Sequence, residues 1–307
     1  MEKNNTLVLN WHLTDVCNYR CKYCYASWEA SVCKRELIHH LIQTETILTE
    51  LYQFFRPDND LNPLKKRFDW NSVRLNLAGG EPLFHTDKLL PIINKASELG
   101  CEVSLITNGS FLSDALLNAI VPQMTWLGVS IDSASPKTNR SIGRIDRHGR
   151  LLHIKNLAAQ LNKARQLNSE LRIKLNTVVN SLNCEESLSE VLTQISPDKW
   201  KVLRMLPVVN QDLVVSDEQF AAFVFRHKTF SQIMCAEDNR DMGESYIMID
   251  PSGRFFQNNP DKFDQGYKYS RPILEVGAAN AFAEVNFAHD LFNARYASDV
   301  KRAANEV

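Results

Sequence analysis

The chain has 307 residues, 44% hydrophobic and 23% charged, with a formal net charge of −1 and a pI near 6.7. That balance describes a globular protein able to bury a sizeable core, and it excludes a general electrostatic pull toward nucleic acid or an acidic membrane surface. Any anion site has to be local. The opening MEKNNTLVLN carries no apolar run of signal-peptide length, and no later run approaches the ~18 apolar residues of a spanning helix, so a cytoplasmic protein is expected.

In chain order, TLVLNWHL, VRLNLA, EVSLIT, TWLGVSI, LRIKLNTVV and KWKVLRML are short, largely apolar segments that read as buried parallel strands. Between the first two, Leu37, Ile38, Leu41, Ile42, Leu48, Leu51, Tyr52 and Phe55 mark one face of a helix running from about Arg35. Weaker helical patterns follow the later strands. The expected fold is α/β: a partial (βα)6 barrel of the TIM type over residues 6–206, within a single domain. Beyond it, a helix around Asp217 to Lys228 and a hairpin, YIMIDPSGRFF, turning at Pro251 to Gly253, predict a C-terminal extension over 207–307 that acts as a lid on the barrel mouth.

Chemistry in such barrels gathers at the C-terminal strand ends. After the first strand comes DVCNYRCKYCYA, which crowds Cys17, Cys21 and Cys24 together in a chain of seven cysteines. An odd number, clustered, is a poor disulfide framework and a good metal site. One reading is zinc, completed by His12 or Cys33. The other is an iron-sulfur cluster with one iron left open, which the C-x3-C-x2-C spacing favours because it lacks the paired C-x2-C knuckles of structural zinc. Cys33, Cys101, Cys184 and Cys235 read as core or surface thiols.

LAGGEP closes the second strand, where Gly79 and Gly80 allow a close backbone approach and Glu81-Pro82 suits a helix opening. In LRIKLNTVVN, strand alternation puts Arg172, Lys174 and Asn176 on one face, and Lys199 and Lys201 repeat the period on the next strand. Lysines turned into a barrel are costly unless paired, so a polyanion is the simplest explanation. The alternative is a solvated strand end.

The cysteine loop on the first barrel strand resembles the radical S-adenosylmethionine superfamily. Taken in order, NWHLTDVCNYRCKYCYA, LNLAGGEP, SLITNGS, VSIDS with IGR, KLNTVVN, DKWKVLRML and ESYIMID resemble its viperin family, in the prokaryotic branch. The resemblance implies a 4Fe-4S cluster on Cys17, Cys21 and Cys24, with S-adenosylmethionine contacted by Tyr23, Gly79, Gly80, Glu81, Asn108, Ser130 and Arg144. It further implies conversion of a ribonucleoside triphosphate, CTP first and UTP or GTP next, to its 3′-deoxy-3′,4′-didehydro form, a chain terminator used in antiviral defence. Lys174, Lys199 and Lys201 would hold the triphosphate, Asn10 and Asn176 the nucleoside, and Tyr246 would act at the ribose. A flavodoxin or ferredoxin is the expected reductant, and a monomer without nucleic-acid or membrane partners is expected. Compared with animal members, the chain lacks the amphipathic N-terminal helix and the aromatic C-terminal tail, and Lys199 stands where they have arginine. A maturase or cyclase of the same superfamily is the alternative activity, with a zinc-binding interaction module behind it.

Overall fold

A computed structural model of the chain describes residues 5–24, 36–208, 211–258 and 266–293. Cys33 and the expected start of the first helix at Arg35 lie outside them. The six segments read as strands form β1 (Thr6–His12), β2 (Ser72–Ala78), β3 (Glu102–Thr107), β4 (Trp126–Ser130), β5 (Arg172–Val179) and β6 (Lys199–Arg204), all parallel and neighbours in sequence order. Two more parallel strands flank them: β7 (Met234–Glu237) beside β6, and β8 (Ile247–Ile249) beside β1. Antiparallel β9 (Arg254–Asn258) and β10 (Tyr267–Pro272) complete the ten-stranded sheet.

The alternation is strict. Leu7, Leu9 and Trp11 of β1, Val73, Leu75 and Leu77 of β2, Ile173 and Leu175 of β5, and Trp200 and Val202 of β6 join one apolar core. Each large side chain so buried contributes roughly 1.5–3 kcal/mol. Their alternate neighbours face inward onto a shared cavity, which requires the sheet to curl into a partial barrel.

Helices cover the outer face: α1 (Leu41–Phe55), α2 (Thr86–Glu98), α3 (Asp114–Ile120), α4 (Pro136–Ile142), α5 (Ile154–Leu167), α6 (Ser189–Ile195) and α7 (Asp217–Arg226). Ile47, Leu48, Leu51 and Phe55 form the buried face of α1 as expected, but Leu41 and Ile42 in its first turn are 53% and 81% exposed. The predicted helix after residue 216 is α7, started by a Ser216–Gln219 capping box.

The predicted hairpin is β8–β9, with Gly253 at φ +74 in its turn. The hairpin itself extends the barrel wall, because Leu9, Asn10 and Trp11 pair with Ile247, Met248 and Ile249. The strand-edge hydrogen bonds of β1 decide this, since a buried edge has to find a partner. Met242, Tyr246, Asn258 and Tyr267 of the extension nevertheless reach the cavity.

Candidate active site

One cavity of about 320 Å³ runs along the barrel axis. Cys17, Cys21, Cys24, Tyr23, Gly79, Gly80, Asn108, Ser130 and Arg144 line the end formed by the C-terminal strand ends. Asn10, Asn176, Lys174, Lys199, Lys201 and Tyr246 line it deeper along the strands. Of the residues expected from sequence, Glu81 and Arg172 are missing from its wall.

The cysteine loop is built against the glycine loop. Gly80 N–H donates to Thr14 O at 2.6 Å, and Glu81 N–H donates to Val16 O at 2.8 Å. A Cβ on Gly80 would lie 2.2 Å from Val16 O, and one on Gly79 would lie 2.6 Å from Thr14 O. The glycines are therefore required by the backbone of the cysteine loop, whatever else approaches them. Glu81 has a related task. It is fully buried, and its carboxylate accepts from Thr107 Oγ1 (2.6 Å), Asn108 N (2.7 Å) and Leu83 N (3.1 Å). The reading of Glu81 as a cofactor contact is corrected to a clip between the ends of β2 and β3.

Burial pushes the Cys17 and Cys21 thiols up to about 11, so in the bare loop they hold their protons. A cation is what would make them thiolates. Asn108 Nδ2 is 3.8 Å from Cys17 Sγ and donates to Asn18 Oδ1 at 2.8 Å. Among the described residues, one trio of His, Cys, Asp or Glu has ligand atoms all within 4.8 Å of one another, and it is Glu36, His39 and His85. The three sulfurs are thus spread more widely than around a single tetrahedral zinc, with its Zn–S bonds of about 2.3 Å. A multi-iron cluster suits that spacing.

Arg144 crosses behind the loop. It pairs with Asp132 at 3.0 Å, donates to Tyr23 Oη at 3.1 Å and to the Ser130 carbonyl, and the Asp132 carboxylate keeps it firmly protonated. Tyr23 Oη in turn hydrogen-bonds Asp132. Asp132, which fixes both groups, lies in the VSIDS segment, where nothing local marks it as their partner.

Farther along the strands, register brings the cations together: Lys174 lies opposite Lys199, and Asn176 opposite Lys201. Gly128 makes room, since a Cβ there would stand 3.2 Å from Lys174 Cε. Arg172, expected on the same face, is exposed at the strand start over Trp126 and does not line the cavity. Arg74 does line it, and the sequence reading passed over it although VRLNLA alternates as LRIKLN does. Asn10 Oδ1 accepts from Asn76 Nδ2 (2.9 Å), and Asn76 Oδ1 from Ser104 Oγ (2.8 Å), so a polar row crosses β1, β2 and β3. His12, on the same wall, is dropped to about 4 by burial and is neutral. Lys201 Nζ pairs with Glu237 at 2.7 Å and donates to Tyr246 Oη at 2.7 Å, while Tyr246 Oη donates to Glu237. Glu237 sits on β7, a strand the sequence reading did not detect.

Residues 11–173 match the family described as the Radical SAM superfamily. The chain is 40% identical over 293 residues to the S-adenosylmethionine-dependent nucleotide dehydratase of Psychrobacter lutiphocae, covering 95% of each chain. It is 28% identical over 313 residues to the S-adenosylmethionine-dependent nucleotide dehydratase RSAD2 of Siniperca chuatsi, covering 97% of this chain and 80% of that one. Among solved structures, anSMEcpe with bound AdoMet superposes with a TM-score of 0.59 at 13% identity over 95% of this chain and 84% of that one, a likeness of fold. No helix among the described residues is long and apolar enough to cross a membrane. The superfamily works with a 4Fe-4S cluster and S-adenosylmethionine, and three thiols spread along one wall beside a glycine-edged opening fit that pair. The chain therefore belongs to the radical S-adenosylmethionine superfamily and, within it, to the viperin-like family of nucleotide dehydratases.

Proposed function

We propose that the protein dehydrates a ribonucleoside triphosphate, CTP before UTP or GTP, to its 3′-deoxy-3′,4′-didehydro form, with antiviral chain termination as the purpose. The observation that carries this reading is the single cavity that has the cysteines and Arg144 at one end and Lys174, Lys199 and Lys201 along its inner strands. The names of the relatives, nucleotide dehydratases, point the same way.

Cys17, Cys21 and Cys24 would hold the 4Fe-4S cluster, which with S-adenosylmethionine supplies the 5′-deoxyadenosyl radical that takes a hydrogen atom from the ribose. Tyr23, Gly79, Gly80, Asn108, Ser130 and Arg144 line the same end of the cavity and would contact S-adenosylmethionine. Lys174, Lys199 and Lys201 compensate the triphosphate charge, and Arg74 adds a fourth cation to the same wall. Asn10 and Asn176 offer amides to the nucleoside between the two ends. Tyr246 Oη, held between Lys201 and Glu237, carries a proton beside the substrate space. The 3′ hydroxyl leaves as water, and a flavodoxin or ferredoxin supplies the electrons.

The test is anaerobic incubation of the reconstituted protein with S-adenosylmethionine, reductant and each nucleoside triphosphate in turn, with mass analysis of the products. The expected result is 5′-deoxyadenosine together with a nucleotide lighter by one water, formed fastest from CTP. Formation of 5′-deoxyadenosine with every nucleotide returned intact would refute the substrate assignment.

A further inference from the structure

Behind the two loops that frame the cavity lies a group with no part in the chemistry above. Glu36, His39 and His85 bring their ligand atoms within 4.8 Å of one another, with Glu36 Oε2 and His39 Nε2 3.7 Å apart. None of the three lines the cavity. Glu36 is fully buried, whereas His39 sits at the surface on a short 3-10 turn, Leu37–His39. His85 ends another 3-10 turn, Pro82–His85, directly after the glycine loop. Its Nε2 has no exposed surface and no hydrogen-bond partner. An orphaned ring nitrogen beside a buried carboxylate and a second imidazole is unfavourable without a ligand.

We propose that Glu36, His39 and His85 form a second metal site, separate from the cysteines, for a borderline divalent cation of the zinc class with water completing the coordination. The donor set suits such an ion: two neutral imidazoles and one carboxylate are the ligands of three-residue zinc sites, and they select against calcium and magnesium, which prefer all-oxygen shells. Ligand atoms at most 4.8 Å apart reach a tetrahedral shell by small side-chain shifts, and the His39 and His85 rings already meet edge to face with centroids 5.2 Å apart. One group opposes the ion. Lys88 Nζ lies 3.3 Å from His39 Nδ1, and it has to swing toward solvent when the metal binds.

The position gives the site its purpose. Glu36 accepts from Thr14 Oγ1 and from Asp15 N, both at 2.8 Å, and so already holds the segment that leads into Cys17. His85 belongs to the turn that follows Gly79 to Glu81. A metal bridging Glu36 and His85 ties the supports of the cysteine loop and the glycine loop into one rigid unit. It acts on the frame of the site, and it stands whether or not the substrate is a nucleotide.

The experiment uses the full chain with its iron-sulfur cluster reconstituted, so that the cysteines are occupied by iron. After exposure to zinc at micromolar concentration and desalting, zinc and iron are counted by elemental analysis, and the thermal midpoint is measured with and without zinc. Wild type should retain one zinc per chain beyond its iron and melt higher with zinc. His85→Gln and His39→Gln should each lose that zinc and that shift while keeping the iron. Lys88→Met, which removes the opposing cation, should bind zinc about tenfold more tightly. That last variant guards against misfolding, because it predicts a gain. Zinc absent from the wild type, or retained equally by both histidine variants, or an affinity unchanged by Lys88→Met, overturns the proposal.

Discussion

Lys201 and Tyr246 meet across the gap between β6 and the start of β8, with Nζ 2.7 Å from Oη, and Glu237 closes the triangle from β7. The arrangement satisfies a nearly buried ammonium and carboxylate while leaving a phenol on the cavity wall. Tyr246→Phe removes only the hydroxyl. The Lys201–Glu237 pair survives, so the expected stability loss is about 1 kcal/mol, the value of a typical hydrogen bond. If the phenol delivers a proton to the substrate, product formation should fall far more than 5′-deoxyadenosine formation. A ratio of the two products unchanged from wild type would remove Tyr246 from the chemistry.

The cluster of cations makes a separate prediction. Lys174 and Lys199 are register neighbours, and each should supply a charge-assisted contact to a bound triphosphate. Replacing Lys174 with methionine keeps most of the stem and removes the charge. The nucleotide dissociation constant should rise about ten- to a hundredfold, and S-adenosylmethionine affinity should stay the same. Calorimetric titration with CTP, UTP and GTP, and with cytidine for comparison, measures the first, and titration with S-adenosylmethionine the second. Equal affinity for CTP and cytidine in the wild type would show that the basic wall does not read phosphate.

These sites differ in how far the sequence announced them. The cysteine triplet was legible because spacing alone constrains three ligands on one loop, and β1 to β6 were legible because each is a short, largely apolar run. Lys174, Asn176, Lys199 and Lys201 followed from the two-residue alternation along β5 and β6. Asp132 and Glu237 were not legible: a single acid carries no period, and its partner, Arg144 or Lys201, is fixed only by tertiary contact. In sequence the glycines suggest an opening toward a ligand, whereas their immediate neighbours are carbonyls of the cysteine loop, a contact between segments more than sixty residues apart. The hairpin was recognised, but its pairing with β1 was not, since nothing local tells a strand which edge it will join.

Glu81 sets a pH dependence. Its burial raises the carboxyl from 4.5 to about 7 despite three donors that pull it down. With a folded value above the unfolded one, the native state keeps a proton that the unfolded chain has released. Stability contributed by this group therefore falls as pH rises from about 4.5 to about 7 and is level above that. Asp15, raised from 3.8 to about 6, acts in the same direction. His12, lowered from 6.5 to about 4, acts oppositely and adds stability as pH rises through that interval. The Glu81 contribution is isolated by comparison with Glu81→Gln: the stability of wild type relative to the variant should decline by roughly 3 kcal/mol across the window. Denaturant titrations at several pH values give the difference, and two parallel curves would mean that Glu81 does not titrate there.

Gly80 is the sharpest structural test, because its restriction is steric alone. Gly79 has φ +132, so any side chain there adds backbone strain to the clash. Gly80 is not among the positive-φ glycines, yet a Cβ would sit 2.2 Å from Val16 O and 2.6 Å from Val16 C. Those are backbone atoms of the residue before Cys17, and they cannot step aside as a side chain could. Gly80→Ala must therefore push the cysteine loop away from β2 or lose the 2.6 Å bond from Gly80 N to Thr14 O. Overpacking of this kind costs roughly 1–3 kcal/mol. The expected outcome is a lower thermal midpoint and reduced iron after reconstitution, with S-adenosylmethionine binding lost in proportion to the iron. Normal iron content with selectively weakened S-adenosylmethionine binding would mean instead that the loop yields freely, and that Gly80 serves mainly the ligand.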